Sequence, residues 1–177
     1  MASTNTLARI AHDVSLATWF GGSLMGAVGL NGATAKAKDP SERARLSSLG
    51  WARWAPVQLA AVGVHTVGGA ALIVGNRNRV ATDSATQINT VVKAAVTVAA
   101  MGATGYSGWL GKQVAEQAQE GAHGATEPSD SASKKLASAQ KQLQVLQWAI
   151  PALTGALVVL GAQQGEQQRG VEGLRDL

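Results

Sequence analysis

His65 is the residue whose type and setting most invite chemistry. It sits near the middle of an uncharged run, residues 54–76. An imidazole there can ligate a metal or a haem iron, relay a proton, or donate a hydrogen bond to a quinone. An ionisable group in such apolar surroundings is costly unless it faces other protein groups, which makes it a functional candidate by default. Its structural alternative is a neutral ring bonded to a helix carbonyl or to a Ser or Thr of a neighbouring helix. His12 and Asp13 form the second candidate. Asp13 can line a cavity, with His12 paired to it or to an ion. Alternatively, Asp13 in a first helical turn complements the helix dipole and His12 reaches water. His65, His12 and Asp13 are therefore the candidate metal ligands. His65 and His12 are the candidate cofactor ligands, with haem b or copper the groups in question. Counted from the ends of their runs, His12 lies near one surface and His65 near the midplane, which speaks against one iron held by both. A small transporter would use a path lined by His65, Thr66, Thr97 and Thr104. Lys93 opens the third run, where it can snorkel to the interface or approach Asp13.

Nothing else carries catalytic chemistry. No nucleophile–base pair, Walker sequence, dinucleotide fingerprint or zinc spacing occurs. Residues 102–108, GATGYSG, echo a Gly-rich loop but lie in an apolar run without a following Lys-Ser/Thr. With no Cys, disulfides and thiolate sites are excluded. The expectation is a non-enzymatic protein, free of cofactor, with a structural role or contacts to membrane lipids and to further copies of itself or a membrane protein partner. The alternative is a haem- or metal-linked redox or transport module built on the intramembrane His.

The elements that position these residues follow from where charge is missing. All 15 Lys and Arg and all 11 Asp and Glu fall outside residues 14–35, 54–76, 94–111 and 142–165. Each run is about long enough to cross a hydrocarbon core of about 30 Å. A soluble helix of that length carries a charged outer stripe, and these carry none. The fold expected is an all-α integral membrane four-helix bundle in one domain, with spans at about 10–32, 54–76, 90–111 and 143–165. An Ala-rich soluble bundle is the alternative, favoured only by the polar residues of the third run. A cleaved leader ending at Ala33-Thr34-Ala35 is a second alternative, disfavoured by the long apolar region and the sparse basic start. The net charge of +4 does not imply nucleic acid, because the charges lie in loops rather than along one helix face.

Between the spans, Asp39-Pro40-Ser41-Glu42 reads as a helix start, with Asp39 the N-cap and Glu42 its capping-box partner. A short amphipathic helix over 40–49 would follow, stopped by Gly50. Residues 76–83 read as a turn. Residues 112–142 read as a polar helical hairpin projecting from the membrane, with a loop at 121–131 and a new cap at Ser129 or Asp130. Pro151 should bend the last span. The helices are expected to approach through small residues: Gly22, Gly26, Gly68, Gly69, Gly105 and Gly108. Nine Lys and Arg lie on the side of the 40–49 helix and the hairpin, and six on the other. This bias places the former in the cytoplasm and both termini outside, in a multi-pass plasma membrane protein. Lys134, Lys135 and Lys141 can attract anionic lipid heads.

His12-Asp13-Val14 through Trp19-Phe20-Gly21-Gly22, with His65 before Gly68-Gly69, resembles small four-helix bacterial membrane proteins related to the copper-resistance D group. The resemblance covers about the first 75 residues. It implies metal handling or a membrane redox role, with His12 and His65 the positions to watch. The chain is also similar to Ala/Gly-rich membrane proteins of high-GC bacteria.

Overall fold

A computed structural model describes residues 2–120 and 122–172, with side chains described for 6–120 and 122–165. Among the described residues all regular structure is helical. The elements are α1 (Ala2–Met25), a π-helical turn (Gly26–Leu30), α2 (Asn31–Thr34), α3 (Pro40–Gly75), α4 (Arg77–Thr82), α5 (Ser84–Glu116), a 3-10 turn (Ala118–Glu120) and α6 (Lys134–Glu172). Pro40–Gly75, Ser84–Glu116 and Lys134–Gly165 are long and apolar enough to cross a membrane. The first helix is not among them: its opening turns carry Arg9, His12 and Asp13, which dilute the apolar residues.

The α1 helix packs against α3 and α6, and α5 against α3 and α6. Large residues on one helix sit in gaps that glycines leave on the other. A Cβ at Gly22 would overlap the Trp54 indole, one at Gly26 the Trp51 indole, and one at Gly50 the Leu30 side chain. At the far end a Cβ at Gly68 would press on His12 and the Ala8 carbonyl. These contacts fix an antiparallel register along the whole of α1. Gly50 thus admits Leu30 and does not stop a helix, and the 40–49 segment is the first part of an unbroken α3.

The buried face of the first helix runs Ser15, Trp19, Ser23, Ala27, Asn31, a strict spacing of four. A 3.6-residue helix drifts away from such a stripe, and the wider turn at 26–30 absorbs part of the drift. It closes with the Asn31 amide donating to the Gly26 carbonyl. Asn31 is thereby turned inward.

Asp39 caps α3, accepting from the Ser41 amide at 2.9 Å and the Ser41 hydroxyl at 2.8 Å. Those bonds, the hydroxyl's first, hold its carboxyl below the usual range. The reciprocal half of the capping box is replaced: Glu42 pairs with Arg45 at 2.8 and 2.6 Å. The turn expected at 76–83 contains α4, and Asp83 caps α5 through the Ala85 and Thr86 amides. The cap of α6 is Ser133, whose hydroxyl accepts from the Leu136 amide, rather than Ser129 or Asp130.

The helices flanking the 121–131 loop extend as expected, but the loop between them is not free. The α5 helix ends at Glu116, and residues 122–133 fold back over the bundle end. The Ala122 amide donates to the Pro40 carbonyl, and Arg43 donates to the carbonyls of Ala122 and His123. Ala122 and Ala125 are small enough to be buried there. One core cluster joins this cap to Ala44, Leu110, Val114 and Leu136; a second, midway along, joins Trp19, Ala61, Ala100 and Ile150.

The close glycine contacts yield a direct test. Trp51 donates to Asn31 and Trp54 to Gln58, so neither indole can swing away freely. Gly26→Ala should therefore lower stability by about 1–3 kcal/mol through overpacking. Gly105→Ala, whose Cβ meets open space, should leave it unchanged or raise it. Detergent-phase unfolding of the two variants side by side measures this, and equal effects would contradict the register.

Candidate functional site

The end of the bundle that carries α4 holds a cavity of about 330 Å³ with walls from α1, α3, α4, α5 and α6. His12 and His65 face each other within it, ring centroids 4.1 Å apart and planes tilted by 31°. The edge of Trp19 closes on His65 from the other side, at 6.0 Å and 69°. His65 is 3% exposed. Its Nδ1 lies 3.3 Å from the His12 carbonyl oxygen, which can only accept, so Nδ1 carries the proton. His12 Nδ1 lies 2.8 Å from Asp13 Oδ1 and donates to that carboxylate in the same way. In the neutral rings both Nε2 atoms remain acceptors.

The difference in depth expected between His12 and His65 is absent, since the two rings lie side by side. Counting from the charge-free run 14–35 puts His12 at a surface. The register instead sets it beside His65, because Gly68 and Gly69 leave the gap its ring occupies: a Cβ on Gly68 would stand 3.0 Å from His12 Cβ, and one on Gly69 3.4 Å from its ring. Asp13 lines the cavity mouth, its side chain 60% exposed and bonded to His12.

Cations dominate the remaining polar wall. Among the described residues, Arg9, Arg79 and Lys93 line it, and Asp13 is the one acidic residue that does. Lys93 Nζ donates to Gln164 Oε1 across the α5–α6 contact. Thr86, Thr90 and Thr97 complete the α5 wall, and Leu16, Ile73, Val98 and Leu157 supply apolar surface. Of the transporter path, His65, Thr66 and Thr97 line the cavity, while Thr104 accepts from Trp19 Nε1 at 3.1 Å. Thr66 donates to the Val62 carbonyl and lies 3.8 Å from the Met101 sulfur. Among the described residues no three His, Asp, Glu or Cys come together as a metal cage. The stacked imidazoles leave no room for a macrocycle between them.

The glycines differ in setting. Gly22, Gly26, Gly68 and Gly69 meet neighbouring side chains, whereas Gly105 and Gly108 face open space. His123 lies outside the cavity, 3.9 Å from Asp130. Arg9, Arg79 and Gln164 are lining residues that sequence patterns did not single out. A signal existed for part of the wall. Thr86, Thr90, Lys93 and Thr97 repeat at helical spacing, and Arg9 precedes Asp13 by one turn.

A second polar cluster lies at the other end. Asn31 Oδ1 accepts from Ser47 at 2.9 Å and from Trp51 Nε1 at 3.0 Å, and its Nδ2 donates to Gln147 at 2.9 Å. Gln147 donates onward to Thr126 of the folded-back loop. Every member of the chain is bonded, which marks it as a tie between helices rather than a site for a ligand. Compared with known proteins, this chain matches no protein family, no curated protein and no solved structure.

Proposed function

We propose that the chain is a four-span, non-enzymatic plasma membrane protein whose bundle binds a small amphipathic anion in the cavity between α1, α3, α4, α5 and α6. The carrying observation is the cavity's charge: Arg79 and Lys93, with Asp13 the one acidic residue among the described lining residues, in a wall of threonines, aliphatic groups, two imidazoles and the Asn76 and Gln164 amides. Cations in a low-dielectric enclosure favour an anionic head strongly, and the aliphatic part suits a short hydrocarbon tail. The volume is at the small end of ligand sites. The two free Nε2 atoms supply acceptors for a protonated or hydroxylated group.

The first helix is the fourth span in this reading. Its support is the continuous register with α3, from Leu30 at Gly50 to His12 at Gly68. The excess of Lys and Arg at the looped-back end supports a cytoplasmic location for that end, with both termini outside.

The test is calorimetry of the protein in zwitterionic lipid nanodiscs, titrated with octanoate and with octanol against empty discs. Octanoate should bind saturably, octanol should not, and Lys93→Gln should weaken octanoate by about tenfold or more. Equal binding of acid and alcohol, or no effect of Lys93→Gln, would overturn the proposal.

A further inference from the structure

We propose that a groove between α5 and α6, at the end opposite the cavity, seats the headgroup and upper chains of an anionic phospholipid. This rests on the membrane reading above but not on the cavity's ligand.

The groove is shallow, of about 690 Å³, and it changes character along its length. Lys134 and Lys141, two helical turns apart on α6, lie on its wall with Ser138 between them. No acidic residue lines it, and neither lysine belongs to an ion pair among the described residues. Beyond the lysines Tyr106 forms the α5 wall, stacked on Trp109 at 5.6 Å and 19°. Its hydroxyl donates to Gln142 Oε1, which holds the ring in place. Further along, Val145 lines the groove and Trp148 stands exposed, at 52%.

The order is therefore paired cations, then a hydrogen-bonding and aromatic level, then exposed apolar surface. From Lys134 to Trp148 this spans about 21 Å of helix. Phospholipids present the complementary order: a phosphate, a glycerol ester region and hydrocarbon. Trp and Tyr favour that interfacial level, and each nearby lysine contributes on the order of 1 kcal/mol toward an anionic surface. A free phosphate would use the lysines and leave the apolar level without a role. The lipid accounts for both.

The experiment reconstitutes the full chain in nanodiscs of equal phosphatidylglycerol and phosphatidylcholine, then counts lipids retained per chain by native mass spectrometry. The wild type should retain phosphatidylglycerol over phosphatidylcholine by about tenfold. Lys134→Gln with Lys141→Gln should bring the ratio close to one, and Lys36→Gln with Lys38→Gln should leave it high. Equal retention by the wild type overturns the site, as does an unchanged ratio in the Lys134/Lys141 variant. Displacement of the lipid by inorganic phosphate alone would show a simple anion site, and a second chain covering the groove would show a protein interface; either result overturns the proposal. Release of the chain from membranes by alkaline carbonate would instead overturn the membrane reading and this inference with it.

Discussion

Replacing Trp19 with alanine is expected to cost about 3–5 kcal/mol of bundle stability, as large-to-small changes at filled core positions do. Trp19 is 0% exposed and joins Ala61, Ala100 and Ile150 in the midway core. Those neighbours are mostly small, so they cannot close on the space an indole leaves. The void would open toward His65, whose ring meets the Trp19 edge, and would enlarge the cavity at its inner end. Trp19→Phe separates shape from hydrogen bonding. It keeps much of the ring but loses the donor to Thr104, and should cost about 1–2 kcal/mol. Reversible unfolding in mixed detergent measures both. A loss below about 1 kcal/mol for Trp19→Ala would show that the indole does not fill the core where the structure places it.

The apolar character of α3, α5 and α6 is legible in the sequence because a helix of that length facing water keeps a charged stripe, and none is present over a span's length. The first helix is harder to read, for a specific reason. A charge ends a membrane segment only if its side chain must face lipid, and counting cannot tell which way Asp13 points. Register decides this, and register is set by pairs such as Gly26 with Trp51 and Gly68 with His12. None of these pairs is visible in one helix alone.

The same limit separates glycines of identical local pattern. Gly22 and Gly26 each receive an indole, whereas Gly105 and Gly108, also on a small-residue face, meet nothing within 4 Å. Composition misleads at the loop. A stretch rich in Gly, Ser and Pro reads as free chain, yet the carbonyls of Gly124 and Ala125 lie within reach of Gln140, and those of Ala122 and His123 are held by Arg43. Small side chains let a backbone lie close to a helix end, a property that hydropathy registers only as lack of apolar content.

Asn31→Leu is the second change expected to have a large effect, about 2–4 kcal/mol. Leucine nearly matches asparagine in size, so the loss is chiefly of hydrogen bonds. Three groups lose their partner: the Ser47 hydroxyl, the Trp51 indole N–H and the Gln147 carbonyl. Ser47 can turn to the carbonyl four residues back in its own helix, as Ser15 does with Ala11. The Trp51 ring fills the gap at Gly26, which keeps its N–H aimed at position 31. An orphaned buried group costs about 1–3 kcal/mol, tempered between membrane helices, where single bonds average nearer 0.6 kcal/mol. A double-mutant cycle with Gln147→Leu tests whether the pair is joined. Once Asn31 is gone, removing Gln147 also removes an orphan, so the double variant should cost about 1 kcal/mol less than the two single losses together. Strict additivity would mean the bond is not made. Gln147→Leu also releases Thr126, so amides of residues 122–128 should exchange faster in that variant than in Asn31→Leu. The difference arises because the loop is tied to α6 through Gln147, while Asn31 ties α6 to α3.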